Sequence, residues 1–207
     1  MVKSKKNVKK GFFEVSVPLT STKISLYGES LEQLNGKVIR LDLTRSLKGK
    51  SLELKYKVSL DKDKLVGVPV SLSLFQSYIR RMMRKGVDYV EDSFVAECQD
   101  GKALVKVFLI TRNRVSRAVR NALRNEAKKS LLVHLKSRTT GEVFSEITAN
   151  KIQKEMSLKL KKIYPLALSE IRHFEALKEK KVFGSDVTNW LEYWFVFFVN
   201  YNFADYI

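Results

Sequence analysis

The sequence predicts an α+β fold: a small β-barrel or strongly curved, mostly antiparallel sheet flanked by amphipathic helices. Three observations predict it. First, Leu52, Leu54, Tyr56, Val58 and Leu60 alternate with Glu53, Lys55, Lys57 and Ser59, the period of a half-buried strand. Second, two strand-like runs, 87–99 and 102–110, flank Asp100-Gly101, a hairpin signal. Third, apolar residues recur at helical spacing after the hairpin, first over 110–129 and again over 144–163. With 207 residues, 44% of them hydrophobic, one domain with extensions fits better than two domains. The reading is a basic arm over 1–11, a single domain over 12–181 and an aromatic extension over 182–207.

Each element follows from local chemistry. The arm holds five lysines in its first ten residues, and no apolar run of signal-peptide length follows them. Residues 12–18 form a strand closed by Pro18, and 20–36 form a polar loop with a short helix around Leu31. Residues 37–43 and 52–60 are strands, and 66–70 is a weaker one interrupted by Pro69. A helix starts near Ser73 as N-cap, repeats Leu74, Phe75, Tyr78, Ile79, Met82 and Met83, and stops at Gly86. After the hairpin and the basic helix, Thr139 to Gly141 breaks the chain. A further helix carries Phe144, Ile147, Ile152, Met156, Leu160 and Ile163, Pro165 ends it, and 169–177 is the last strand. Phe12 and Phe13 are assigned to the core or a barrel rim rather than to base-stacking platforms.

The charge is one-sided. Thirty-nine basic residues face twenty-two acids, a net charge of +17. Such an excess points to nucleic acid first and an anionic membrane surface second. The densest stretch is ITRNRVSRAVRNALRNEAKK, residues 110–129, with Glu126 as its single acid. On a helix Arg117, Arg120, Arg124 and Lys128 form one stripe, while Val115, Val119, Ala122 and Leu123 fall opposite. Arg112 and Arg114 precede the helix. Exposed helices ordinarily mix both signs, so an unmixed stripe points to a polyanion. Arginine grips phosphate oxygens bidentately and stacks on bases, and one arginine per turn places the charges about 5–6 Å apart. Arg80, Arg81, Arg84 and Lys85 at the end of the earlier helix form a second basic group, and Lys161 and Lys162 a third.

Other chemistries lack their residues. A single cysteine, Cys98, excludes an internal disulfide and a cysteine-rich zinc site. His134 and His173 are the only histidines, and no glycine-rich phosphate loop, nucleophile elbow or converging carboxylate cluster accompanies them. An enzyme and a bound cofactor are therefore not expected. Residues 189–207 hold both tryptophans, nine aromatics and no Lys or Arg, which points to packing on protein, with no membrane span because the apolar run 193–199 is too short.

Five segments in order, GFFEVSVP, LNGKVIRLDLTRSL, YIRRMMRKGVDYVEDSF, KVFLITRNRVSRAVRNALR and KKIYPLALSEIRHFEAL, resemble the S-one-e (S-three-a) family of small-subunit ribosomal proteins of archaea and eukaryotes. The resemblance runs from about residue 10 to about residue 178. It implies a structural protein of the cytoplasmic ribosome, with a β-barrel and flanking helices on the platform near the mRNA exit side. The implied partners are small-subunit rRNA and neighbouring platform proteins. Residue by residue it implies RNA contacts at Arg80, Arg81, Arg84 and Lys85, at Arg112, Arg114, Arg117, Arg120 and Arg124, and at Lys161, Lys162 and Arg172. Two departures stand out: Ala167 and Leu168 replace the arginines that usually follow the YPL motif, and the aromatic tail is unlike the usual C-terminus. The alternative function is a free RNA-binding assembly factor.

Overall fold

The computed structural model describes residues 9–20, 24–47, 50–62 and 64–177. Within them the chain runs β1 (Gly11–Ser16), β2 (Ile24–Gly28), α1 (Leu31–Leu34), β3 (Val38–Asp42), β4 (Leu52–Asp61), β5 (Lys64–Leu74), α2 (Gln76–Met82), β6 (Tyr89–Cys98), β7 (Gly101–Thr111), α3 (Arg117–Lys136), α4 (Thr140–Thr148), α5 (Lys151–Leu160) and β8 (Leu166–Leu177). The basic arm, apart from its last residues, and the aromatic extension lie outside the described residues.

All eight strands join one sheet, in the order β2-β1-β5-β8-β7-β6, with β4 between β5 and β3. The pairs are antiparallel except β1 with β5. The α+β class stands, but the sheet does not close into a barrel. The alternation over 52–60 is realised in β4, where Leu52, Leu54, Tyr56 and Val58 are fully buried and Leu60, near the turn into β5, is not. The Tyr56 hydroxyl donates to the Pro18 carbonyl at 3.0 Å, and burial pushes its phenol up to about 12.

β5 joins the two halves of the sheet. Its first residues pair with β1, its last with β8, and its other edge pairs with β4 throughout. An extra residue beside Pro69 shifts the β4–β5 register, as a residue without an N–H requires. Ser71 to Ser73 are therefore strand, and α2 begins at Gln76 after Phe75 rather than after Ser73. Local spacing favoured a helix there, but pairing on both edges overrides it, and Leu72 and Leu74 are buried as strand residues. β2, expected as loop, is held by pairing with β1. The helix expected over 144–163 is two helices. Asn150 takes a left-handed conformation (φ 59°) between them, and a Thr139/Glu142 capping box starts the first.

The last three helices cover one part of the sheet: α3 packs on β6, α4 on β5 and α5 on β8. Phe144 of α4 meets Phe174 of β8 edge to face, with centroids 4.9 Å apart. Under them lies a buried ion pair. Lys50 Nζ is 2.6 Å from Glu170 Oε2 on β8 and 2.7 Å from Asn150 Oδ1 at the α4–α5 junction. Burial pushes the Glu170 carboxyl above its ordinary 4.5, and Lys50 opposes that shift.

Removing Lys50 leaves a buried carboxylate without its cation. We expect Lys50→Met to lose about 3–5 kcal/mol in denaturant unfolding at pH 7, and the double variant Lys50→Met/Glu170→Met to recover most of it. A carboxyl raised in the folded state binds protons more tightly there than in the unfolded chain. The loss in Lys50→Met should therefore grow as pH rises through the folded-state value and shrink as pH falls toward 4.5.

Candidate nucleic-acid interface

The pairing register gathers basic runs that are far apart in sequence. Tyr89 opens β6 opposite Ile110, and Thr111 closes β7 opposite Leu166, the first residue of β8. Three connections thus emerge at one end of the sheet. Arg84 and Lys85 precede β6, Arg112 and Arg114 follow β7, and Lys161 and Lys162 precede β8; all six are exposed. Arg84 and Lys85 lie just beyond the C-cap of α2 and before Gly86 at φ +88°.

A small polar clamp shapes this end. The fully buried Thr111 hydroxyl lies 2.9 Å from the Asp88 carbonyl and 2.7 Å from the Asn113 carbonyl, and accepts the Asp88 N–H at 3.1 Å. Asp88 Oδ2 accepts the Val115 N–H at 3.0 Å. These bonds tie the loop bearing Lys85 to the loop bearing Arg112 and Arg114. Asp88 and Thr111 are the residues that sequence reasoning missed. The available signal was an acid three residues after Lys85 and a threonine beside Arg112, and only the hairpin register makes them neighbours.

α3 starts from the same end. Ser116 caps it by accepting the Val119 N–H, and Ser137 follows its last residue. The helix begins at Arg117, so Arg112 and Arg114 lie on its approach rather than within it. Its buried row is Leu123, Ala127, Leu131 and Leu135, preceded by the partly buried Val119. Ala122, expected in that row, is exposed. A four-residue step advances about 40° around the helix, so the apolar row winds, and the row Arg120, Arg124, Lys128 winds beside it, each three residues before a buried one. The basic row therefore flanks the core row instead of opposing it.

This placement separates the cations. Arg117 and Arg124 are exposed, Arg120 is half-buried, and its Nε is enclosed with no partner among the described residues. The Lys128 ammonium stands 5.7 Å from the ring centre of Phe94 on β6. Arg81 lies 5.8 Å over the Tyr78 ring and donates to Ser51 Oγ at 3.3 Å, while Arg80 is exposed. Arg172 stands apart: it ion-pairs with Glu91 at 2.9 Å and donates to Gln76 at 3.3 Å. It alone of the candidate cations has a carboxylate within reach among the described residues.

Two acids of α4, beside the end of α3, have internal duties, while Glu126 on α3 itself is exposed. Glu146 lies 2.7 Å from His134 Nε2 and 3.6 Å from Arg138, and Glu142 completes a cap. His134 thus joins α3 to α4, and His173 sits 3.2 Å from Glu175. No cluster of three or more His, Cys, Asp or Glu side chains suited to a metal occurs among the described residues. No described helix is long and apolar enough to cross a membrane.

Sequence comparison places this arrangement among known proteins. Residues 4–180 match the profile of the Ribosomal S3Ae family. A small ribosomal subunit protein eS1 of Desulfurococcus amylolyticus is 26% identical over 179 residues, 83% of this chain and 84% of the relative. The protein of that name from Pyrobaculum arsenaticum is 24% identical over 174 residues, 81% of this chain and 74% of the relative. The one from Nanoarchaeum equitans is 29% identical over 104 residues, so the match spans about half of each chain. The matched stretch contains the whole sheet, its helices and every basic run that converges at the sheet end, and the chain belongs to the Ribosomal S3Ae family.

Proposed function

We propose that this chain is a structural constituent of the small ribosomal subunit, holding rRNA against one end of its sheet and the adjoining flank of α3. One observation carries the reading. Cations from three separate connections converge at the sheet end, with α3 leading away from it, and none of them has a carboxylate partner among the described residues. Family membership and the relatives named as small ribosomal subunit proteins support the same role.

The contacts are to phosphate and shape rather than to a base code, since a helix flank presents guanidiniums at a pitch close to that of successive phosphates. The primary contacts are Arg84, Lys85, Arg112, Arg114, Arg117, Arg124 and Lys128. Arg80, Arg81, Arg120, Lys161 and Lys162 border them, and Arg172 contributes through its tie to β6. By the family likeness the chain sits on the platform near the mRNA exit side of the cytoplasmic ribosome, beside neighbouring platform proteins. The aromatic segment 189–207 is placed against protein, because it lacks any cation. Neither catalysis nor a cofactor enters the reading.

Two experiments test it. Arg117→Gln/Arg124→Gln/Lys128→Gln changes exposed side chains only, so the fold should persist. We expect weaker co-sedimentation with small subunits and a log K against log salt slope for rRNA shallower by about 2–3, one counterion step per lost phosphate contact. Unchanged co-sedimentation and slope would remove α3 from the interface, and recovery of the chain with precursor particles alone would identify an assembly factor. Thr111→Val should cost about 1–2 kcal/mol in unfolding by releasing the clamp. It should also weaken rRNA binding without changing any charge, and Thr111→Ser should restore both.

A further inference from the structure

We propose that the open edge of β1 is a separate RNA site that takes one unstacked nucleobase; this rests on the RNA-binding reading above. Phe12 and Tyr27 face each other directly across the β1–β2 pair. Phe12 is 76% exposed and Tyr27 57% exposed, with ring centroids 5.1 Å apart and planes tilted by 50°. The assignment of Phe12 to the core or a barrel rim is thus overturned, whereas Phe13 does pack against the core. The pair braces the β1–β2 hairpin across its strands, yet both rings keep much of their surface in water, and such exposure marks a contact surface.

The surroundings fit a base better than a protein. The other outward residues of the hairpin are Glu14, Ser16 and Ser25, so the rings form a small platform rather than a broad apolar patch. Beside Phe12 lies an open depression of about 530 Å³, lined by Phe13, Glu14, Leu31, Lys64 and Leu65. That size falls in the ordinary range for small-ligand sites. On the same side, β1 pairs with β5 only at Val15 and Ser16, so residues 12–14 leave that edge of the strand open. The depression thus combines an aromatic wall, an apolar floor, an open strand edge and one ammonium at the rim.

Each part has a use in base recognition. Phe12 offers a ring face at the depression, on which a splayed base stacks, and Tyr27 backs that ring from β2. Lys64 reaches the phosphate of the same nucleotide. Glu14 repels phosphate but accepts from base donors, which selects an edge rich in N–H groups, as guanine presents through N1 and N2. Lys9 and Lys10 precede the strand and carry the flanking backbone, with Lys10 partly offset by Glu29 at 3.7 Å.

The test uses the full chain and labelled eight-nucleotide RNAs: a uridine tract with one central guanine, the same tract with an abasic residue in its place, and uridine throughout. We expect the guanine RNA to bind about ten-fold tighter than the abasic one. Phe12→Ala/Tyr27→Ala should abolish that difference without altering the salt slope, Phe12→Tyr/Tyr27→Phe should keep it, and Glu14→Gln should narrow the preference for guanine over uracil. Equal binding of guanine and abasic RNAs by the unmodified chain, with binding still weakened by Arg117→Gln/Arg124→Gln/Lys128→Gln, would overturn the base site and leave the basic interface standing. No binding of any of the three RNAs would also overturn the base site, while co-sedimentation of the full chain with small subunits tests the basic interface separately.

Discussion

The interaction on which the rest depends is the strapping of α3 along the β6–β7 hairpin. A 20-residue helix is about 30 Å long, and a ten-residue strand about 33 Å, so α3 spans the hairpin from end to end. At the basic end Asp88 and Thr111 hold the approach to the helix. At the far end Gln99 donates through its N–H to the Arg138 carbonyl and through its side chain to the Ser137 carbonyl, and Asp100 accepts the Thr140 N–H. Between these ties the row of Leu123, Ala127, Leu131 and Leu135 is sealed against the sheet. With both ends fixed and one row buried, the helix has no freedom to roll. The direction in which its arginines point is therefore a consequence of the core.

Electrostatic order follows from the same frame. A domain so basic repels itself, and its acids offset this only if they sit beside cations. Here many of the acids act inside the fold. Glu170 meets Lys50, Glu146 meets His134 and Arg138, Glu91 meets Arg172, and Asp88 and Glu142 bond to backbone N–H groups. Each holds two elements together or fixes a turn. The cations at the sheet end are left facing outward with counterions in their vicinity, and release of those counterions is what drives association with a polyanion. The buried Lys50–Glu170 pair belongs to the opposite regime: each charge is tolerated only while its partner remains, and the pair pins the α4–α5 junction to β8.

What was legible in the sequence was local chemistry. The alternation in β4 and the periodicity of α3 each rest on neighbours within a few residues, and the matching elements lie where the pattern puts them, though α3 starts later than the full basic run. The hairpin signal held with a shift: Cys98 pairs with Gly101, so the turn residues are Gln99 and Asp100. Features set by distant pairing were not legible. Ser73 read as a helix N-cap because nothing nearby reveals that β4 and β8 flank it. Ala122 read as core because a straight helical projection ignores the winding of the buried row. The convergence of the basic runs was hidden for the same reason, since it exists only in the register of β6, β7 and β8. Exposed Phe12 shows the converse: side-chain character predicted burial, and position on the outer face of an edge hairpin prevents it.

The account turns on which surface meets RNA, and a density map of the small subunit containing this chain reads that surface directly. We expect rRNA phosphates within ion-pair distance of Arg112, Arg114, Arg117 and Arg124, with the Asp88–Thr111 clamp intact behind them. A map in which that end of the sheet and the flank of α3 face protein carboxylates or open solvent, while rRNA lies against another surface, would contradict it.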